Sequence, residues 1–158
     1  MIESGISPGQ IILSLSKQQD SRKRAFFLCD FIAQRTFSNL VCYYSAGKDT
    51  DPASAELELM AKVGLPPVPR RLSLEPALQV SYETHRTVVQ TSTTGPFPEV
   101  LLARRMQSGI AQYCPTVLGS AGFLIANHKA PFHYTADFIE VIEQLTEMVF
   151  CYQGGEDG

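Results

Sequence analysis

Two amphipathic segments, one near each end of the chain, most strongly constrain what this sequence can fold into. The first runs from about residue 16 to residue 37 and carries apolar side chains at Phe27, Leu28, Phe31 and Ile32. The second follows a candidate N-cap at Thr135 and carries apolar side chains at Phe138, Ile139, Val141, Ile142, Leu145, Met148, Val149 and Tyr152. Both follow the i, i+3, i+4 spacing of one helical face. We therefore expect two helices that bury their apolar stripes against a common core.

Five segments between these helices are predicted as strands, namely residues 39–47, 57–63, 87–91, 109–118 and 122–128. Most are rich in β-branched or aromatic residues and end at glycine or polar turns; the composition of residues 57–63 would suit a helix equally well. Residues 74–85 and 99–106 are predicted as short helices, and a proline-rich connection occupies residues 66–69. The first two and the last two strands follow one another across short turns, which favours hairpins and a mainly antiparallel sheet.

The element order predicts an α+β domain. It comprises a mainly antiparallel five- to six-stranded sheet, with the N- and C-terminal helices on one face and short helices and loops over a pocket on the other. Residues 1–15 are predicted as a flexible lead-in, residues 16–153 as a single domain and residues 154–158 as a disordered tail.

Composition excludes several classes of protein. The 158 residues are 44% hydrophobic and 18% charged, which is typical of one globular domain. The net charge of −3 provides no general attraction for nucleic acid or for an anionic membrane, and no apolar run approaches the roughly 20 residues that cross a bilayer. We expect no nucleic-acid partner and no membrane association.

The four cysteines, Cys29, Cys42, Cys114 and Cys151, are far apart in the sequence and form no C-x-x-C pair. No local zinc site is therefore indicated. Because the N-terminal residues do not resemble a secretion signal, we expect reduced, buried thiols in a cytosolic protein. No G-x-S-x-G, H-E-x-x-H, P-loop or G-x-G-x-x-G motif is present, so the sequence indicates no catalytic machinery.

The order of elements resembles a GAF domain, a sensory module related to PAS domains, over about residues 25–149. The most specific stretches are SGIAQYCP from Ser108, GSAGFLIAN from Gly119, and the aromatic-to-Asp start of the last helix from Phe132 to Asp137. Members of this family often have a serine opening the fourth strand, a proline within it and a glycine-containing hairpin after it. The resemblance implies a pocket on the sheet face opposite the terminal helices.

The sequence lacks features of the family's specialised branches, and this narrows the range of ligands and activities that we expect. Bilin-binding members attach their chromophore through a cysteine, typically beside a histidine, and no cysteine here has a histidine next to it. Covalent bilin is therefore not expected. The Asn-Lys, Phe and Asp-Glu pattern of cyclic-nucleotide-binding members is present only in misspaced form, from Asn127 to Phe138. A cyclic nucleotide is therefore not expected. A third branch reduces free methionine sulfoxide with cysteines clustered in pocket loops, whereas the cysteines here are spread over strands and helices.

The candidate ligand-binding residues are those that the resemblance places around the pocket: Tyr43, Tyr82, His85, Thr91, Phe97, Arg105, Ser108, Tyr113 and Cys114. Each also fits a purely structural role. The tyrosines suit core packing, His85 suits a helix end, the Thr91–Pro98 hydroxyls suit a solvated loop, and Cys114 suits a buried inert thiol. Arg104 and Arg105 suit a solvated face, or a site that binds a carboxylate or phosphate. His128 and His133 flank a turn, and no metal site is expected there.

The sequence thus predicts a non-catalytic sensory or regulatory domain. It would bind an unidentified small molecule, order the Thr91–Pro98 loop and shift its terminal helices, which would also form a homodimer and act on a flanking signalling output domain. Two alternatives remain open: a thiol-dependent enzyme like the free methionine sulfoxide reductases, and a domain without a pocket that serves only for protein interaction or dimerisation.

Overall fold

The fold was determined from a computed structural model that describes residues 21–46, 56–65, 67–73, 76–115 and 121–157. Its helices are α1 (Ser21–Thr36), α2 (Pro76–Thr84) and α3 (Ala136–Asp157). Its strands are β1 (Leu40–Ser45), β2 (Leu57–Val63), β3 (Arg71–Leu72), β4 (Val88–Gln90), β5 (Ser108–Pro115) and β6 (Ala121–His128). A single 3₁₀ turn at Pro98–Val100 completes the regular elements of the described residues.

The described strands form one antiparallel sheet in the order β3-β2-β1-β6-β5-β4. β1 pairs with β2, and β5 with β6, as the sequence predicts. β1 and β6 pair at the centre of the sheet, with Tyr43 opposite Leu124. The α+β prediction and the mainly antiparallel sheet are confirmed.

The two long helices cover one face of the sheet, which we call the helix-covered face. Leu28 and Ile32 of α1 and Ile142 of α3 are fully buried there against sheet residues such as Leu124. Gly122 of β6 is required by this packing, because a Cβ atom at that position would overlap the buried hydroxyl of Tyr43. The predicted placement of the terminal helices on one face is therefore confirmed.

The opposite face of the sheet, which we call the far face, is covered by α2, the 3₁₀ turn and the connections around them. Its core includes Tyr44 and Phe123 from the sheet, Leu78 from α2 and Met106 from the connection before β5. The hydroxyl of Tyr44 also donates to the carbonyl of Pro69, 2.6 Å away. Short elements therefore build a second apolar core on this side.

The structure differs from the sequence prediction in three places. The helix predicted over residues 99–106 is only the 3₁₀ turn, because the buried Asn127 side chain binds the carbonyl of Val100 and the amide of Leu102, which a helix would use itself. Strand β3, which follows the proline-rich connection, was not predicted. It pairs with the start of β2. Helix α3 continues to Asp157, past the glycines at which its end was predicted.

Some predictions concern residues outside the described part of the chain. These are the lead-in at residues 1–15, the start of the first helix at residues 16–20 and the turn at residues 48–55. The end of the strand predicted over residues 109–118 and most of the turn that follows it, at residues 116–120, also lie outside the described residues.

Candidate functional site

Four aromatic rings form a cluster at one end of the far face, where β5 approaches its C-terminal end. The rings of Tyr82 and Tyr113 meet edge to face with centroids 5.0 Å apart, and the imidazole of His85 lies 5.0 Å from Tyr113. Tyr113 in turn contacts Phe123 at 5.5 Å. Phe123 is fully buried, Tyr82 and Tyr113 are half-buried, and His85 is exposed. The cluster thus extends from the core to the surface.

The end of α2 positions this aromatic cluster. His85 adopts a left-handed backbone conformation (φ 61°), and its amide donates to the carbonyl of Ser81 at 2.7 Å. The hydroxyl of Ser81, which is fully buried, accepts the amide of Tyr113 at 2.7 Å and donates to the carbonyl of Arg86 at 2.8 Å. One serine therefore fixes the end of the helix to β5, 32 residues away in sequence.

Several polar atoms of the cluster face no hydrogen-bond partner in the described part of the protein. Within the described residues, the hydroxyls of Tyr82 and Tyr113 and the imidazole nitrogens of His85 make no hydrogen bond. Burial, and secondarily the neighbouring Tyr82 and Cys114, raises the pKa of the Tyr113 hydroxyl, which keeps it protonated at neutral pH. The cluster can therefore offer two hydroxyl groups and an imidazole beside flat ring surfaces.

Two further candidates, Thr91 and Phe97, lie in a connection organised by Gln90. The Gln90 side chain is fully buried; its amide nitrogen donates to the carbonyl of Ser92, and its oxygen accepts the amide of Phe97, each at 2.6 Å. Phe97 packs at the edge of the far-face core. Thr91 is exposed, and its carbonyl accepts the amide of Phe132 at 2.8 Å.

The remaining candidates lie apart from the aromatic cluster. Tyr43 and Cys114 are buried in the core of the helix-covered face. The buried hydroxyl of Ser108 donates to the carbonyl of Ala130 at 2.6 Å. Arg105 lines a groove at the opposite end of the sheet, beside Met106. The structure thus brings the rings of Tyr82, His85 and Tyr113 into contact, and the other six candidates make no ring contact with them among the described residues.

The three cysteines with described side chains, Cys29, Cys42 and Cys114, are free thiols with no exposed surface. Burial is the first cause that raises the pKa of each thiol, to about 12 for Cys42. The nucleophilic form of cysteine is the thiolate. These three thiols are therefore protonated at neutral pH and inaccessible to a substrate.

The two histidines at the turn between β6 and α3 contact each other. The rings of His128 and His133 stack with centroids 3.5 Å apart, and His133 Nε2 lies 2.7 Å from the carbonyl oxygen of Thr36. Across the described ranges, no three histidine, cysteine or acidic side chains are grouped so that they could hold a metal ion. The same residues include no helix with the length and apolar character needed to cross a membrane.

Comparison with solved structures identifies the architecture. A free methionine-R-sulfoxide reductase from Neisseria meningitidis, solved with its substrate, superimposes with a TM-score of 0.76 at 16% identity, over 94% of this chain and 86% of that one. The GAF domain of an Acinetobacter phosphoenolpyruvate-protein phosphotransferase superimposes with a TM-score of 0.68 at 14% identity, over 94% and 89% of the two chains. The chain has a GAF-type fold.

The GAF-type fold occurs in proteins of different activity. A bacteriophytochrome from R. palustris is also similar, with a TM-score of 0.71 at 9% identity, over 94% of this chain and 37% of that one. The sequence itself matches no protein-family model and no curated protein. The comparisons therefore confirm the fold suggested by the resemblance, while this fold hosts both sensory domains and reductases.

Three buried polar residues of the far face, Ser81, Gln90 and Asn127, were missed as organisers of the site. In the sequence, Ser81 and Gln90 look like ordinary helix and strand residues, and Asn127 looks like part of a turn. The sequence could have indicated these residues, because each is a polar residue at a position that the periodicity assigns to a buried face.

Proposed function

We propose that this chain is a non-catalytic sensory or regulatory domain that binds a small molecule at the cluster of Tyr82, His85 and Tyr113. The observation that supports this proposal most directly is the contact of three rings whose hydrogen-bonding atoms have no partner among the described residues. Polar groups that converge beside an apolar surface are the common composition of a small-molecule site.

The chemistry of the cluster favours a flat, uncharged or weakly polar ligand. The edge-to-face arrangement of Tyr82 and Tyr113 leaves ring surface for stacking, and their hydroxyls would donate to acceptor atoms of the ligand. Binding would be noncovalent, since the described thiols are buried. A ligand that contacts His85 touches the end of α2, which Arg86 joins to α3 through its 3.0 Å ion pair with Glu143. This connection offers a route from the site to a terminal helix.

The test combines native mass spectrometry of the purified protein with a thermal-shift screen of metabolites. We expect a co-purified small molecule or a ligand that raises Tm, and we expect the double variant Tyr82→Phe/Tyr113→Phe to weaken its binding about tenfold or more, because each lost hydroxyl removes a hydrogen bond. Val80→Ala is the matched control, because Val80 lies on the same helix but is partly exposed and outside the far-face core.

Two results would contradict this proposal. One is a screen in which no class of compound binds or raises Tm, which would favour the domain without a pocket. The other is a ligand whose affinity is the same in the double variant and in the native protein.

The rival proposal of a reductase is disfavoured by the buried thiols. We expect that a Cys151→Ser variant, which leaves only Cys29, Cys42 and Cys114, shows no thiol reactive toward a chromogenic disulfide within minutes under native conditions, and three in denaturant. The same variant and the native protein should not reduce free methionine-R-sulfoxide with a thiol reductant. Turnover that is lost in Cys114→Ala but retained in folded Cys29→Ala would establish the enzyme instead.

We further propose that the terminal helices mediate homodimerisation in the cytosol and transmit the signal to a flanking output domain. Phe26 supports this proposal, because it lies on α1 and leaves 51% of its surface exposed. Large apolar side chains exposed on a helix are common where helices pair between subunits. Analytical ultracentrifugation should show a dimer that Phe26→Glu dissociates, whereas Lys23→Glu should leave it intact; a monomeric native protein would contradict the proposal.

A further inference from the structure

A groove of about 520 Å³ opens at the other end of the sheet, where β5 begins and β6 ends. Its apolar lining includes Leu65, Leu102 and the fully buried Met106, and its charged lining is Arg104, Arg105 and Lys129. β5 begins two residues after Met106, and Tyr113 lies five positions further along it, which corresponds to about 17 Å between the groove and the aromatic cluster. It is therefore a separate region of the molecule.

The three cations of this groove are unpaired within the described part of the chain. The side chains of Arg104, Arg105 and Lys129 make no ion pair or hydrogen bond there, and no acidic residue lines the groove. All three charges thus lie beside one cavity whose other lining residues are apolar. Neighbouring like charges repel one another, and an anion would relieve this repulsion.

Hydrogen bonds to the backbone hold the walls of the groove in place. The Asn127 oxygen accepts the amide of Leu102 at 2.8 Å, and its nitrogen donates to the carbonyl of Val100 at 2.9 Å. The amide of Met106 donates to the carbonyl of Ala103 at 3.1 Å, which closes a turn with Arg104 and Arg105 at its tip. The amide of Lys129 donates to Oδ1 of Asn39 at 2.9 Å. The backbones that carry the cations are therefore fixed before a ligand binds, which lowers the cost of binding.

A second cavity, of about 370 Å³, is also lined by two adjacent arginines but differs from the groove in its nearby carboxylates. Arg70 and Arg71 line it together with Arg22 and Glu58. There Arg71 lies 3.4 Å from Glu56, and Arg22 lies 3.4 Å from Glu58. Carboxylates already balance part of the charge of this second cavity, whereas none does so beside Arg104 and Arg105 among the residues that line their groove.

We propose that the groove beside Arg104, Arg105 and Lys129 binds an amphipathic small molecule that carries a carboxylate or phosphate on an apolar chain. The guanidinium groups match the planar or tetrahedral oxygens of such an anion, and Leu65 and Leu102 receive the chain. The volume of the groove falls in the range of small-molecule sites, roughly 300–1,000 Å³. This site is independent of the ligand proposed for the aromatic cluster.

Isothermal titration with decanoate tests the proposal, with octyl phosphate, decanol and inorganic phosphate as comparison probes. We expect saturable binding of decanoate or octyl phosphate, and binding at least about tenfold weaker for decanol, which lacks the charge, and for inorganic phosphate, which lacks the chain. The double variant Arg104→Gln/Arg105→Gln should weaken binding of the amphipathic anion by about tenfold or more. Arg70→Gln, which also removes an arginine charge, should leave it unchanged.

Two controls distinguish binding in this groove from misfolding and from binding at the aromatic cluster. Far-UV circular dichroism and Tm should be unchanged in Arg104→Gln/Arg105→Gln, since both side chains are exposed. The Tyr82→Phe/Tyr113→Phe variant should bind decanoate as the native protein does, so that failure at the aromatic cluster and failure at the groove can be told apart. Equal binding by native protein and the double arginine variant would overturn the proposal. So would the absence of saturable binding, or retention only by anionic lipid vesicles and not by the free anions.

Discussion

The two faces of the sheet are covered in different ways. On the helix-covered face, α1 and α3 present apolar side chains such as Leu28 and Ile142 to the strands. On the far face, the covering segments are short and irregular. The fully buried side chains of Ser81, Gln90 and Asn127 form hydrogen bonds with the backbone groups of these segments.

The difference follows from where each cover satisfies its backbone hydrogen bonds. A long helix pairs its own amides and carbonyls, so most of the side chains that it buries can be apolar. The buried hydroxyls of Thr36 and Thr146 donate to carbonyls of their own helices. An irregular segment leaves such groups unpaired, and a buried unpaired group costs about 1–3 kcal/mol. The far face meets this requirement with side chains; Glu99, for example, accepts the amide of Ala77 at the start of α2, 2.9 Å away. This face is also where both proposed sites lie.

Truncation of Leu28 should give the largest effect, and it tests the apolar half of the comparison. Leu28→Ala removes a fully buried side chain of α1 and leaves a cavity, so we expect the free energy of unfolding to fall by about 2–5 kcal/mol. Urea denaturation followed by circular dichroism measures this change. The groove beside Arg104 should still bind decanoate in the folded variant. A loss below about 1 kcal/mol would mean that α1 does not form the core of the helix-covered face.

Truncation of Asn127 should have a slightly smaller but more local effect. Asn127→Ala leaves the amide of Leu102 and the carbonyl of Val100 without their partner, so we expect a loss of about 2–4 kcal/mol. Hydrogen exchange should increase for the Leu102 amide more than for amides of α1. Gln34→Ala, which removes an exposed side-chain amide of α1, is the control and should change stability by less than about 0.5 kcal/mol. Uniform exchange throughout the molecule would contradict the local role of Asn127.

Protonation of His128 should have the smallest effect. Burial, and secondarily the stacked His133, lowers the pKa of His128 below its ordinary value of 6.5, while the amide of Ala130 and Lys129 also face the ring. The unfolded chain therefore binds this proton at a higher pH than the folded chain does. Stability should be fully present above about pH 6.5 and should decrease as the pH falls below it. Denaturation midpoints measured between pH 8 and pH 5, a range of about three units, test this expectation.

His128→Asn is the matched variant for the pH experiment, because an asparagine oxygen can accept the amide of Ala130 without titrating. It should reduce the loss of stability below pH 6.5. Glu143 should not contribute to the loss between about pH 8 and pH 5. Burial raises the pKa of this carboxyl, but its bonds to Thr87 and Arg86 outweigh burial and lower the pKa below 4.5, so its contribution is lost only at lower pH. An unchanged pH profile in His128→Asn would contradict the assignment.

Much of the fold could be predicted from local patterns. The residues of β2 were predicted as observed, and α2, β5 and β6 lie at or near their predicted positions, because apolar periodicity and turn residues are properties of neighbouring positions. The prediction of a helix over residues 99–106 was wrong, because the side chain of Asn127 binds backbone groups that the helix would have used. Asn127 lies 25 residues from Leu102, so the local pattern does not contain this interaction. For the candidate site, the sequence named Tyr82, His85 and Tyr113 together with Tyr43 and Cys114. Alternation places the adjacent Tyr113 and Cys114 on opposite faces of the sheet, but it does not say which face carries the site.

The sequence by itself determined the order of the elements and the alternation of side chains along each strand, since both follow from spacing along the chain. Only the tertiary structure decided which polar groups meet. Ser81 reaches β5 across 32 residues, and Lys129 lies in the same groove as Arg104 because β5 and β6 pair antiparallel. Such contacts depend on the distances in space between segments, and the residue pattern within each segment does not contain those distances.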